Sequence, residues 1–292
     1  MYKKLLFIIF YFLSAAILQV VAGNFPLSFF SFPLNAIVAF IWLFLLWRLY
    51  KEERKLPFTR FLLSSNTSVL SILLLIGGSL VIGLFPQLSD REAADMPGIF
   101  AALGCYNFMT SWIFIAILFL LLSNLGMVII HACYHRMQAK KRFLLNHIGL
   151  WLALFAGFFG SSDVQTLRVL LYPHTPTREA YDMNGLVYYL DYELELYQFE
   201  MEHYPNGVPS RFLAEIRAGN EISALEVNHP YSYRLGEDIY LSGYDTKRAD
   251  ASGYCILQIV RQPWKYVIVA GICMMLTGAI LLFINGPKRI KP

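Results

Sequence analysis

Six long apolar runs with few charges recur along the chain, at 5–21, 29–47, 69–85, 112–130, 144–160 and 266–284. Each approaches the roughly 20 residues that a helix needs to cross the hydrocarbon core of a bilayer. Between the fifth and sixth runs the pattern changes period. In "DYELELYQFEMEHY", 191–204, Tyr192, Leu194 and Leu196 alternate with Asp191, Glu193 and Glu195, which marks a strand with one buried face. The phase shifts near Gln198, predicting a bulge, and Asn206 and Gly207 then supply a turn. "RFLAEIRAG", "SALEVNHP", "DIYLSGYD" and "GYCILQIV" follow at the spacing of short strands. The pattern predicts a membrane α-helical protein with six transmembrane helices and a small extracytoplasmic all-β domain, a β-sandwich or open barrel, between helices five and six. Five helices with short loops occupy 1–160, the β domain 161–265, and the last helix with a basic tail 266–292.

Charge orients these elements. Only 15% of residues are charged and 57% are hydrophobic, against about a quarter charged in soluble domains. Arg48, Lys51, Arg54, Lys55 and Arg60 follow the second run, Arg136, Lys140, Lys141 and Arg142 follow the fourth, and Lys288, Arg289 and Lys291 end the chain. The intervening loops carry only Arg91. The positive-inside rule therefore places both termini in the cytoplasm and the β domain outside the inner (cytoplasmic) membrane. This balance requires the first run to be retained as a span, and no A-x-A cleavage site follows it. Segment 161–265 holds 15 acidic and 9 basic residues, so the net charge of +4 belongs to the membrane flanks. Nucleic acid is excluded as a partner, because no basic stripe falls on the folded part.

Of the four cysteines, Cys105 and Cys255 fall on the oxidising side, where they either pair or stay buried as thiols; no C-x-x-C redox motif occurs. His174, His203 and His229 are scattered through the β segment without the spacing of a metal site.

Polar side chains at membrane depth narrow the chemistry. Ser123, Asn124, His131 and His135 lie along or just beyond the fourth run, and Asn146 and His147 open the fifth. His147 lies about 8 Å along a helix from Arg142, deep enough for its imidazole to seek a hydrogen bond or a metal. Residues 147, 151, 154 and 158 share one helical face, so His147 is followed by Trp151, Leu154 and Phe158. Such a wall suits an apolar macrocycle whose iron takes an axial imidazole, and it equally suits a histidine bonded at the interface with Trp151 packed on a neighbouring helix. Both readings stand for His147, and for His131 at the same level. The longest inner loop is too short for a signalling output domain, and polar residues at mid-membrane are too few for a typical transporter.

Six segments carry a family resemblance: "SILLLIGGSLVIGLFPQ" at 71–87, "TSWIFIAILFLLLSNLG" at 110–126, "NHIGLWLALFAGFFG" at 146–160, "FEMEHYPNGVPSRFLAEI" at 199–216, "VNHPYSYRLGEDIYLSGYD" at 227–245 and "LQIVRQPWKYVIVAGICMMLTGAILLF" at 257–283. In this order they resemble the ResB family of cytochrome c biogenesis proteins, also called CcsB, over 65–284. The resemblance implies transmembrane haem handling and covalent haem attachment to apocytochrome c, in a complex with a CcsA/ResC-like membrane protein. It implies haem b as a transiently bound cofactor, with His147 or His131 as axial ligand and the second ligand possible from the partner. At most the chain is then one subunit of a cytochrome c haem lyase, since it contains no tryptophan-rich motif and no evident general acid or base. Other readings are a scaffold that presents apocytochrome without binding haem, and a small-solute transporter capped by a β domain. The sequence departs from the family pattern in its short outer domain and in Leu241, where glutamine is common.

Overall fold

The computed structural model describes residues 2–135, 140–183, 185–206, 209–245 and 253–285. The basic residue Arg136, Gly207 and the basic tail after 285 lie outside the described residues. The chain forms two compact units, residues 1–162 with 267–292, and residues 163–266.

The first unit is helical. Its long helices are α1 (Tyr2–Ala22), α2 (Leu34–Glu52), α4 (Ser65–Leu84), α7 (Trp112–Tyr134), α8 (Lys140–Gly160) and α9 (Lys265–Asn285). Short helices α3 (Pro57–Leu62), α5 (Asp90–Ala94) and α6 (Ile99–Ala102) lie in the connections. Five of these helices are long and apolar enough to cross a membrane, and the apolar part of α1, Leu6–Ala22, is shorter. The second apolar run begins its helix at Leu34 rather than at 29, because Pro26 and Pro33 interrupt it and leave only a 3-10 turn over Leu27–Phe30. Two of the long helices start at a capping serine: Ser64 accepts from the Thr67 N–H and Ser111 from the Phe114 N–H.

Helix α7 is the central element, packed by α1, α2, α4 and α8. Its buried stretch runs from Leu120 to Met127. The two polar residues in that stretch are satisfied from neighbouring segments, as burial requires. Ser123 Oγ accepts from Trp42 Nε1 at 3.3 Å, and Asn124 Nδ2 donates to the Leu62 carbonyl at 2.6 Å. Asn35 on α2 similarly donates to the Phe159 carbonyl at 2.7 Å. Helices α8 and α9 meet at small residues. A Cβ at Gly271 would stand 2.6 Å from the Gly149 carbonyl oxygen and 2.8 Å from the Ala153 nitrogen, so only glycine permits this approach.

The second unit is a single antiparallel sheet of β1 (Gln165–Leu171), β2 (Thr177–Tyr181), β3 (Val187–His203), β4 (Pro209–Ala218), β5 (Glu221–Glu226), β6 (Tyr231–Arg234), β7 (Glu237–Tyr244) and β8 (Cys255–Arg261). The order β5-β4-β3-β2-β1-β8-β7-β6 curls the sheet like a barrel instead of dividing it into the two sheets of a sandwich. Tyr192, Leu194 and Leu196 point into the core, and the pairing with β4 shifts between Leu196 and Gln198, where the broken alternation predicts a bulge. Leu167, Ile216, Leu225, Ile239 and Leu257 complete a fully buried centre, and Leu241 joins them as an apolar core residue.

Strands β5 and β6 end the sheet order. Among the described residues one isolated bridge, Glu226 with His229, lies where they meet, and side chains do the rest. Tyr231 donates its hydroxyl to Glu221, and Tyr233 packs on Tyr192 at 4.2 Å between ring centroids. Gly219, at φ +59°, leaves room for the Tyr233 hydroxyl, which would stand 2.8 Å from a Cβ there.

Candidate functional site

The first turns of α8 present His147 to a groove. Its Nδ1 lies 2.8 Å from the Phe143 carbonyl, which can only accept, so Nδ1 is the donor of this bond and Nε2 is the nitrogen not engaged in it. The Phe143 ring stacks on the imidazole at 3.7 Å and holds its plane. Beside it runs an apolar groove of about 370 Å³, formed by Leu150 of α8 and Ile272, Met275, Leu276 and Ala279 of α9. Asn146 lines the same groove and faces α9 at Gly278, where any Cβ would collide with its carboxamide oxygen.

The aromatic residues that share the His147 face serve a different purpose. Trp151 stacks on Phe155 at 4.5 Å and on Trp42 at 6.2 Å, and its Nε1 donates to the Leu122 carbonyl at 3.1 Å. These rings pack α8 against α2 and α7. The wall next to the imidazole is instead aliphatic and comes mainly from α9, which spacing within one helix could not reveal.

His131 occupies another setting, near the end of α7. Its Nδ1 lies 3.0 Å from the hydroxyl of Tyr50, a buried residue of α2, and its ring is 4.3 Å from that of His135. Arg54 approaches His135 Nε2 at 3.2 Å. The structure thus gathers His131, His135, Tyr50 and Arg54, while His147 stands with Phe143 and the α9 groove.

A third polar group, at one end of the barrel, escaped the sequence reading. Glu237 and Asp238 are 3% and 5% exposed, adjacent in sequence and on a core strand. Glu237 accepts from the Tyr192 hydroxyl, from Arg234 Nε at 3.1 Å and from Arg261 Nε at 2.7 Å. Asp238 accepts from Ser232 Oγ at 2.7 Å and pairs with Lys265. Arg234 also forks onto Asp191 at 2.7 and 2.8 Å. The sequence signal was available only as two acids opening an apolar strand, which alone reads as a turn. Their compensating cations lie 3 to 27 residues away along the chain.

Burial by itself would push the Asp238 carboxyl up, but the hydrogen bonds from Lys265 and Ser232 outweigh it and hold the carboxyl below its ordinary value. The hydrogen bonds from Arg234 likewise hold Asp191 low. For carboxyls depressed on folding, the stabilisation is complete above the unfolded value, about 3.9 for aspartate, and is lost as pH falls through the folded one. The thermal midpoint of the β unit should therefore hold steady down to about pH 4 and drop below it. In Asp238→Asn the drop should be shallower; an equal slope in both proteins, followed by circular dichroism, would remove Asp238 from this role.

The thiols are quiet. Among the described residues all four cysteines are free; Cys105 and Cys255 are buried, and burial pushes the Cys255 thiol up to about 12.

The two histidine settings and the barrel are the context for comparison with known proteins. No curated protein matches the chain. A family model described as the ResB-like family matches residues 142–255, which take in His147, the rest of α8 and the barrel as far as the start of β8. That match is narrower than the 65–284 over which sequence motifs suggest the likeness, and it takes in the two more specific motifs, at 199–216 and 227–245, together with the apolar one on α8. Over 142–255 the chain is thus similar to the ResB-like family, and the matched stretch joins an apolar helix of membrane-crossing length to the barrel.

Proposed function

We propose that this protein is the ResB-like subunit of a cytochrome c biogenesis complex, working with a CcsA/ResC-like membrane protein to hold haem in the membrane and deliver it for attachment to apocytochrome c. The observation that carries the reading is the His147 site: an imidazole whose Nδ1–H donates to a carbonyl, with an apolar groove alongside. Metal-binding histidines typically fix their tautomer by such a donation, which leaves the other nitrogen for the metal.

The residues fit haem. The groove's volume lies within the range of small-molecule sites, and its aliphatic lining suits a porphyrin edge. His147 would hold the iron, with Phe143 fixing the imidazole plane. Haem, when bound, supplies an iron that accepts an axial imidazole and vinyl groups that become thioethers with cysteine thiols. The chain's own part is binding, orientation and exclusion of water; Asn146 adds a polar group at the groove's rim. His131 is a weaker fit, because the Tyr50 hydroxyl at its Nδ1 can either donate or accept and so does not fix which nitrogen is left for a metal. The charge pattern supports the placement that this role requires, with α8 beginning on the cytoplasmic side and the barrel outside.

The test is the absorption spectrum of the complex purified with its partner. His147→Ala should lose the low-spin haem signal and cytochrome maturation, and His131→Ala should retain both. Retained haem and intact maturation in His147→Ala would instead favour a scaffold that presents apocytochrome without touching haem. Unchanged shielding of Cys255 from thiol reagents in both variants would show that the barrel remains folded.

A further inference from the structure

Strand pairing brings both chain ends of the barrel to one end of it. Gln165 at the start of β1 is in register with Arg261 at the end of β8, and Arg261 with Glu237 at the start of β7. Trp264 Nε1 donates to Asp163 Oδ2 at 2.7 Å and ties the incoming and outgoing chain together. Only residues 161–164 and 262–264 separate these strands from α8 and α9, both of membrane-crossing length. Two turns fall at this same end. The β6–β7 turn carries Leu235, 82% exposed, and the β2–β3 turn carries Met183 and Leu186, 66% and 60% exposed, followed by Val187 at 50%.

Four large apolar side chains thus stand exposed at the end of the barrel where the chain enters from and leaves to helices of membrane-crossing length. Asp182 closes the described part of the β2–β3 turn by hydrogen bonds with Leu186. The Asp182 N–H donates to the Leu186 carbonyl at 3.0 Å, and the Leu186 N–H donates to Asp182 Oδ1 at 2.9 Å. At the β6–β7 turn, the Gly236 carbonyl accepts from the Gln262 N–H at 2.6 Å, and Arg234 is neutralised by Asp191 and Glu237. Each of these internal bonds lowers the cost of moving its tip out of water, while the apolar side chains gain by the move.

We propose that the lipid bilayer is the occupant of this surface: the β2–β3 and β6–β7 turns insert Met183, Leu186, Val187 and Leu235 into the headgroup region of the leaflet beside them. The short connectors keep the lipid surface within reach, and Trp264 with Tyr266 supplies the aromatic residues characteristic of that depth. The barrel end is then a second, peripheral membrane attachment in addition to the spanning helices. It does not depend on haem.

The full chain, without any partner protein, is placed in phosphatidylcholine nanodiscs. Cys133 and Cys273, the exposed thiols, are replaced by serine, and brief labelling spares buried Cys105 and Cys255. A fluorophore is attached to Leu235→Cys, to Leu186→Cys, or to Tyr204→Cys, an exposed site at the opposite end of the barrel. Lipids carrying a nitroxide just below the headgroup should remove roughly half of the emission at positions 235 and 186 and leave position 204 unchanged. Emission at 235 and 186 that is as insensitive as at 204 would overturn the proposal and leave the tips to a protein partner. Continued shielding of Cys255 in each variant would show that the barrel is intact.

Discussion

Glu237→Ala should raise the rate at which a thiol reagent reaches Cys255 by about 100-fold, corresponding to a loss of about 3 kcal/mol. Cys255 is fully buried in the barrel core, so its labelling reports opening of the unit. Glu237 is the acceptor for Tyr192, Arg234 and Arg261. Removing it leaves Arg234 and Arg261 to share the Asp191 carboxylate, at 2.7 and 3.9 Å, and leaves a buried phenol without its acceptor. Burial and the Glu237 bond already push that phenol's ionisation well above its ordinary value, so it cannot compensate by releasing its proton. Breaking one side of a buried ionic group is costly for this reason, even where the intact group contributes little net stability. Glu237→Gln keeps an oxygen acceptor and should label at an intermediate rate. Equal rates for wild type and Glu237→Ala would show that the group is dispensable for the barrel.

In the helical unit, Gly271→Leu should lower the thermal midpoint in detergent, with a destabilisation of about 2 kcal/mol or more. Its first side-chain carbon would lie within 2.6 Å of a backbone oxygen of α8, and backbone cannot rotate away as a side chain can. Gly149→Leu meets the same obstruction from the other side, at 2.6 Å from the Gly271 oxygen and 2.8 Å from the Met275 nitrogen. The two substitutions should therefore be strongly non-additive, because either one already forces the helices apart. Gly157→Leu is the control. It lies on the same helix, but a Cβ there meets nothing within 4 Å, and the midpoint should stay put. An equal loss for Gly157→Leu would mean that helix composition, not the crossing, sets the effect.

These outcomes bear on how much could be read from the residues alone. Long apolar runs of this length announce helices because a helix satisfies its own backbone in lipid, whereas their ends are set by other signals: Pro33 delays α2 to Leu34, and the Ser64 cap starts α4 at Ser65, before its apolar run. The alternation from Asp191 to Glu195 gives both the core face of β3 and its bulge, since period two is a property of one strand. Strands β1, β2 and β6 went unread: β2 and β6 are short, with mixed residues, and they exist because neighbours pair with them. The site shows the same division. His147 was visible as a polar residue opening an apolar helix. Its tautomer, its aliphatic groove on α9 and the diversion of Trp151 toward Trp42 all depend on other helices, and no spacing within α8 encodes them. Glu237 and Asp238 were illegible for a related reason. An acid is buried only when cations arrive, and Arg261 and Lys265 come from β8 and the start of α9.

The meeting of β5 and β6 has a kinetic consequence. A cylinder hydrogen-bonded all the way round has no preferred place to begin coming apart, whereas here β6 is fastened to β5 by the Tyr231 hydroxyl on Glu221, with the Tyr233 ring reaching to Tyr192 of β3. Amide exchange should start where these two strands meet and spread outward through β6 and β5, with β1 and β8 the last to yield their protons to deuterium.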